Sequence, residues 1–352
     1  MPSRVTPPPA ARDLRTDELD SGAADGVCED VVFAFPGQGP YWPGTARELL
    51  ATSQVFGDSV AACDRALSRW QTWSVLEALR SPDTSRFART DVLQPTMWAL
   101  LVSLAATWRS LGMEPAAVIG SSQGEVAAAC VAGALSIEDG AHVVAVRSAL
   151  IARSLAGRGG GMSAVWLSPQ ETRRRIAPWK DALTIGVVNA PRLVAVAGRV
   201  QALDEFEATH GDDVRIRRIP VEYASHSDQV EPLREELTAE LAALRPQAST
   251  VACYSTVTGG RIDTRELDGP YWYRNLRSTV RFGETVRRMA DDGYRNFIEV
   301  SPHPMLLDSI TQSLEESGVR PVTSPTLHQG DGGIDDIRAA RTQFLEVLSR
   351  CR

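Results

Sequence analysis

The first apolar run, Val31-Val32-Phe33-Ala34-Phe35, is where ordered structure is expected to begin. Five consecutive apolar residues closed by Pro36-Gly37-Gln38-Gly39 suit a short buried strand running into a glycine turn. From about 44 to 111 the pattern is largely helical, and the Trp and Leu residues of 66–79 and 97–108 fall near helical spacing as core positions. The run Ala116-Ala117-Val118-Ile119 predicts a strand over 116–120. Helices are expected from Glu125 to Gly133 and from Ile137 to Ala156.

The texture changes at Gly159-Gly160-Gly161. Beyond it the pattern reads strand 162–166, helix 169–176, strands 183–188 and 193–198, helix 200–210 and strand 214–219. That β-α-β-β-α-β order is ferredoxin-like. Helix 228–244, segment 251–257, helix 282–292 and strand 296–300 then complete an α/β layer. A loop over 327–333 and an amphipathic helix over 334–350 follow. The expectation is an α/β chain whose large domain comprises 29–158 and 224–352, with a small subdomain at 159–223. Residues 1–28, rich in Pro, Arg and Asp without periodicity, read as a disordered arm.

Composition narrows the function classes. A net charge of −7 gives no basic footprint for nucleic acid or an anionic membrane surface. The five scattered cysteines form no CxxC pair, which points away from a zinc site or a disulfide framework and towards a reducing, cytoplasmic compartment. The five histidines show no metal-ligand spacing, and no apolar stretch is long enough for a membrane span.

The chemistry starts at Gly120-Ser121-Ser122-Gln123-Gly124. A Gly-x-Ser-x-Gly between a strand and a helix makes a nucleophile elbow, with the central Ser122 lifted clear and a helix N-terminus beneath it to favour negative charge. Ser121 is the competing alcohol, and an ordinary Gly/Ser turn is the bland alternative. Arg147 follows an apolar helical run, so it is either a solvated surface cation or a buried one that needs an anion.

Further segments carry a resemblance: Phe35-Pro36-Gly37-Gln38-Gly39, Leu93-Gln94-Pro95, Arg147, Tyr223-Ala224-Ser225-His226-Ser227, Tyr271-Trp272 with Asn275-Leu276-Arg277, and Glu299-Val300-Ser301-Pro302-His303-Pro304. In this order across residues 31–335, they and the elbow make the chain resemble the acyltransferase domain of modular polyketide synthases, and more distantly malonyl-CoA:acyl-carrier-protein transacylase. The resemblance implies an α/β-hydrolase-like large domain with an inserted ferredoxin-like subdomain.

It also implies roles. Ser122 is the expected nucleophile and His226 the base, with His303 as the rival imidazole. A main-chain carbonyl, expected at Arg281, orients the ring in place of a carboxylate. The N–H groups of Gln123 and Gln38 form the oxyanion hole, while the side chains of Gln38 and Gln94 brace the loop. Arg147 clamps the free carboxylate of a malonyl-type acyl group, since a guanidinium fork matches a carboxylate bidentately. Tyr223-Ala224-Ser225 before the base and Gln123 after the nucleophile are the family's signs for methylmalonyl, whereas malonyl types usually carry a bulkier Phe before the base.

Two positions depart from the pattern. Ser121 stands where the family normally has His beside the acyl carboxylate, so either Arg147 carries the anion alone or the acyl group is unusual. Pro40-Tyr41 replaces the usual Ser-Gln. The expected reaction takes an α-carboxyacyl group from a coenzyme A thioester to the phosphopantetheine thiol of an acyl carrier protein, with no bound cofactor and no metal. Carrier-to-carrier transfer of an unusual acyl or aminoacyl group, a proofreading thioester hydrolase and a silent docking module are the alternatives. Arg173-Arg174-Arg175 with Arg215, Arg217 and Arg218 are the candidate carrier-docking residues. A start at Met with no ketosynthase or carrier sequence attached suggests a free-standing, trans-acting enzyme, with an excised domain as the alternative; a monomer is expected.

Overall fold

The computed structural model describes residues 30–39, 45–328 and 332–351. The arm expected over 1–28 and the Pro40-Tyr41 pair lie outside them. The strands are β1 (Val31–Phe35), β2 (Ala117–Gly120), β3 (Gly160–Val165), β4 (Leu183–Ala190), β5 (Leu193–Arg199), β6 (Ile216–Ile219), β7 (Ala252–Ser255), β8 (Gly260–Arg261), β9 (Asn296–Glu299) and β10 (Val322–Pro325). The large sheet runs β10-β9-β1-β2-β7-β8 and is parallel except at β8. Alternate residues of its central strands feed two cores. Val31, Phe33, Phe35 and Val118 pack with Trp98 and Trp108, while Val32, Ala34, Ala117 and Ile119 pack with Phe282, Val286 and Ile310. Burial on both faces is why these strands are continuous apolar runs without alternation.

The second sheet, β4-β5-β3-β6, is antiparallel. Its helices, Pro169–Ile176 and Val200–His210, share a separate core around Val165, Val194, Val196, Leu203 and Phe206. The two sheets meet where Val280 pairs with Val187 of β4: Val188 N–H donates to the Val280 carbonyl (2.8 Å) and Val280 N–H to that of Gly186 (2.9 Å). That seam carries the site.

Some expected elements differ. Helix 228–244 is a 3₁₀ turn (Asp228–Leu233), a short α-helix (Arg234–Glu240) and a second 3₁₀ turn (Leu241–Ala243). Pro232 lies inside the first turn and has no N–H to extend it as an α-helix. Strand 214–219 begins only at Ile216. Helices Gly269–Arg277 and Leu307–Glu315 and the edge strand β10 had not been read from the pattern.

Close backbone contact, rather than a positive φ, requires glycine at both ends of the elbow. A Cβ on Gly124 would lie 2.3 Å from the Phe35 carbonyl oxygen and 2.5 Å from that of Pro36. One on Gly120 would lie 2.2 Å from the Glu125 nitrogen. Backbone cannot yield as a flexible side chain can, so Gly124→Ala is expected to destabilise the fold by about 3 kcal/mol or more. Thermal unfolding checks this, and an unchanged melting temperature would contradict it.

Candidate active site

Three main-chain features build the elbow. Ser121 N–H donates to the Phe35 carbonyl (2.8 Å), which ties the end of β2 to the end of β1. Gly124 N–H donates to the Ser121 carbonyl (2.9 Å) as the helix Gly124–Val131 begins. Between them Ser122 has φ 53°. Among the described residues only Ser122 and His226 (φ 59°) are non-glycines with positive φ. Such backbone costs on the order of 1–3 kcal/mol and persists where surrounding contacts hold it.

Those two residues face each other. His226 Nε2 is 2.8 Å from Ser122 Oγ, and His226 Nδ1 is 2.9 Å from the Ser278 carbonyl oxygen. A carbonyl only accepts, so Nδ1 carries the proton and the Nε2 lone pair faces the Ser122 hydroxyl. His226 N–H donates to the Leu276 carbonyl (2.9 Å), fixing the backbone beside the ring. This corrects the expectation for Arg281. That residue caps the helix Phe282–Asp291, and its carbonyl accepts from the N–H (2.9 Å) and Oγ1 (2.8 Å) of Thr285. Ser278, still in the preceding loop, has its carbonyl free for the imidazole. The rival His303 sits in the loop after β9, where its carbonyl accepts from Ser301 Oγ (2.8 Å).

Burial, reinforced by the nearby Arg147 guanidinium, lowers the His226 pKa from 6.5 to about 3, with the Ser278 carbonyl pulling the other way. The imidazole is therefore neutral, as a proton acceptor must be. Below pH 6.5 the unfolded chain binds a proton here that the folded chain refuses, so this group lowers stability as pH falls from 6.5 towards 3. Relative to a His226→Gln variant, the wild type should lose about 1.4 kcal/mol of unfolding free energy per pH unit across that window. Denaturant titrations test it, and a difference that stays flat with pH would contradict it.

Arg147, on the helix Ile137–Ser154, is only 2% exposed, so it is no solvated surface cation. Its Nη2 lies 3.4 Å from Ser122 Oγ, Nη1 donates to Asn275 Oδ1 (3.3 Å), and Nε has no partner among the described residues. Among the described residues it makes no ion pair with a carboxylate. Desolvation lowers its pKa to about 10. Glu125 acts on it only from a distance, and a buried guanidinium with no carboxylate in direct contact among the described residues is a site for an anion.

The Gln38 loop lies against the elbow: a Cβ on Gly37 would sit 3.0 Å from the Ser121 carbonyl oxygen and 3.5 Å from Ser122 Cβ. Gln38 Oε1 accepts from Gln94 Nε2 (3.0 Å) and from the Tyr223 hydroxyl (2.7 Å), and Gln94 Nε2 also donates to Tyr223 Oη (2.9 Å). This closed triangle ties the loop to the long helix Thr90–Ser110 and to the chain entering the His226 segment. Among the described residues, no acceptor faces the N–H of Gln38 or of Gln123. Ser121 and Ser225 are each 7% exposed, and Ser225 Oγ contacts Met162 Sδ (3.2 Å).

Sequence reasoning assigned no role to Asn275, Glu125 or Ser278. Asn275 Nδ2 donates to the Ser122 carbonyl (3.1 Å) while its Oδ1 meets Arg147. Glu125 accepts from Thr256 N–H (2.8 Å), from the Thr256 hydroxyl and from the Tyr271 hydroxyl, and burial raises its pKa to about 7. Asn275 shares a buried helix face with Tyr271, and a polar residue on such a stripe is a readable signal. A role carried by the Ser278 main chain leaves none.

The acyl transferase domain family matches residues 32–347. The chain belongs to that family. It is 46% identical over 336 residues to erythronolide synthase EryA2 of Saccharopolyspora erythraea, covering 92% of this chain and 9% of that protein. A polyketide synthase system protein of spectinabilin, NorC of Streptomyces orinoci, is 48% identical over 305 residues, 86% of this chain and 13% of its own length. The chain thus spans only a small part of these curated relatives. Among solved structures, the acyltransferase domain from module 8 of the salinomycin polyketide synthase superposes with TM-score 0.86 at 43% identity, covering 91% of this chain and 75% of that one. The loading acyltransferase of the avermectin modular polyketide synthase gives 0.85 at 42% identity, covering 89% and 99%. A Clostridium perfringens malonyl CoA-acyl carrier protein transacylase, at 20% identity over 91% of this chain and 99% of its own, shares the fold with TM-score 0.79. The chain is an acyl-transferring enzyme of the polyketide-synthase kind, with a mixed α/β fold of a large domain and a small subdomain. Among the described residues, no helix is long and apolar enough to cross a membrane.

Proposed function

We propose that Ser122 carries an α-carboxyacyl group, methylmalonyl by preference, from a coenzyme A thioester to the phosphopantetheine thiol of an acyl carrier protein during polyketide assembly in the cytoplasm. Ser122 Oγ attacks the thioester carbonyl as His226 Nε2 takes its proton. The imidazolium then returns the proton to the departing CoA thiolate, leaving the acyl ester on Ser122. Attack by the carrier thiol reverses the sequence. The N–H groups of Gln123 and Gln38 receive the oxyanion, each worth about 3–4 kcal/mol in the transition state. Arg147 takes the α-carboxylate. That carboxylate also offsets the guanidinium field on His226, so the acid-bearing substrate strengthens the base that acts on it.

One observation carries this reading: a buried guanidinium that contacts no carboxylate among the described residues lies 3.4 Å from an alcohol that is itself 2.8 Å from a neutral imidazole nitrogen. The relatives support transfer within polyketide assembly. They do so as segments of much longer synthases, and nothing in them favours the free-standing arrangement expected from the sequence. For docking the acidic carrier, Arg174 and Arg175 pair with Glu171, and Arg218 with Asp204 and Glu207. That leaves Arg173, Arg217 and Arg215, the last stacked on Trp166 at 4.1 Å, as the stronger candidates.

Small side chains at Ala224 and Ser225 support the methylmalonyl preference. A single methyl is worth about 1–3 kcal/mol in an apolar pocket, so methylmalonyl is expected to load roughly 10- to 100-fold faster than malonyl. Competition between the two CoA esters, read by intact mass, tests it. Equal loading would remove the preference and leave the α-carboxyacyl reading, whereas loading only from acyl carriers would favour carrier-to-carrier transfer. Rapid loss of label to water would favour the hydrolase.

A further inference from the structure

The amide of Asn275 is held in one orientation by its surroundings. A carbonyl accepts only and a guanidinium donates only. The nitrogen must therefore face the Ser122 carbonyl (3.1 Å) and the oxygen the Arg147 Nη1 (3.3 Å). The residue is 1% exposed, so water does not compete for either contact. It sits on the buried face of helix Gly269–Arg277, one turn after Tyr271, whose hydroxyl donates to Glu125. Glu125 is held in turn by the N–H and hydroxyl of Thr256, just beyond β7, and the Asn275 amide stabilises its carboxylate. The helix carrying Asn275 is thus pinned to the first turn of the elbow helix, and one short side chain spans the nucleophile's main chain and the guanidinium.

Arg147 has few other constraints. Among the described residues its Nε has no partner and its other hydrogen bond is the 3.4 Å approach to Ser122 Oγ, at the end of a long side-chain stem. We propose that Asn275 is the positioning residue for the Arg147 guanidinium. It sets the distance between the anion site and the nucleophile, so that only an acyl group with its carboxylate on the α-carbon engages both. This rests on the reading of Arg147 as the carboxylate site. Because the contact is neutral, it aligns the cation without satisfying its charge. A carboxylate at the same place would align it and quench it.

That distinction supplies the test. Asn275→Asp is nearly isosteric and places an anion against Arg147 in competition with the substrate carboxylate. Initial rates of acyl-enzyme formation are measured by rapid quench and intact mass for methylmalonyl-CoA and propionyl-CoA, which differ only in the carboxylate. Asn275→Asp is expected to lower the ratio of the two rates by about 30-fold or more, through the methylmalonyl rate. Asn275→Ala, which removes the alignment and adds no charge, should lower the ratio by roughly 10-fold and keeps the test open if the aspartate variant fails to fold. Equal losses for both substrates, or an unchanged ratio, would overturn the proposal. Arg147→Ala in the same panel separates the two layers. A ratio that collapses in Arg147→Ala but survives in both Asn275 variants refutes the positioning role alone. A ratio that survives in Arg147→Ala refutes the carboxylate site itself, and this proposal with it.

Discussion

Replacing His226 with alanine is expected to slow acyl-enzyme formation by about 1,000-fold or more, towards the upper end of what a positioned base contributes. The size follows from what else surrounds the alcohol. The other side chain on Ser122 Oγ is Arg147, which donates and cannot take a proton. Solvent water is far less basic than an imidazole and is not held against the hydroxyl, so it is a poor substitute base. The Ser278 carbonyl orients the imidazole but, unlike a carboxylate, adds no negative charge to stabilise the imidazolium. The rate of CoA release, followed by thiol titration with methylmalonyl-CoA, measures the effect. A loss smaller than about tenfold would mean that another group takes the proton.

The second large effect concerns Arg147. Arg147→Ala should reduce methylmalonyl loading by about 30- to 5,000-fold, the usual 2–5 kcal/mol for removing one partner of a desolvated charge pair. Propionyl loading should change little. The same substitution removes a buried cation that contacts no carboxylate among the described residues, so the melting temperature of the free protein is expected to rise. It also removes the positive field on His226, whose pKa should climb from about 3 towards the ordinary value. Loading assays, calorimetry and an NMR titration of His226 check the three parts. An unchanged loading preference for methylmalonyl over propionyl would contradict the account of the anion site.

Much of this arrangement was legible in the sequence for identifiable reasons. The strands at the sheet centre are buried on both faces, so they appear as unbroken apolar runs bounded by turns at Pro36-Gly37 and Gly120-Ser121. The elbow was readable because two close backbone approaches force glycine at 120 and 124. The small subdomain showed as a change of pattern after three glycines. Less regular features stayed hidden. β10 is a short edge strand with two hydroxyl residues and a terminal Pro325, and edge position rather than apolar content lets it pair. Helix Gly269–Arg277 is polar on its outer face and opens at Pro270, so its stripe is only Tyr271, Trp272, Asn275 and Leu276. The orienting carbonyl was assigned three residues too late, at Arg281, because a main-chain acceptor has no residue type to mark it. Which carbonyl is free depends on where the next helix begins, and boundaries of that kind are poorly encoded locally.

The most direct measurement is the mass of the intact protein after brief exposure to methylmalonyl-CoA, with proteolysis to locate the adduct. The account requires a single methylmalonyl ester on Ser122, absent from Ser122→Ala and passed to an acyl carrier protein on its addition. An adduct on Ser121 or elsewhere, or one that persists in Ser122→Ala, would contradict it.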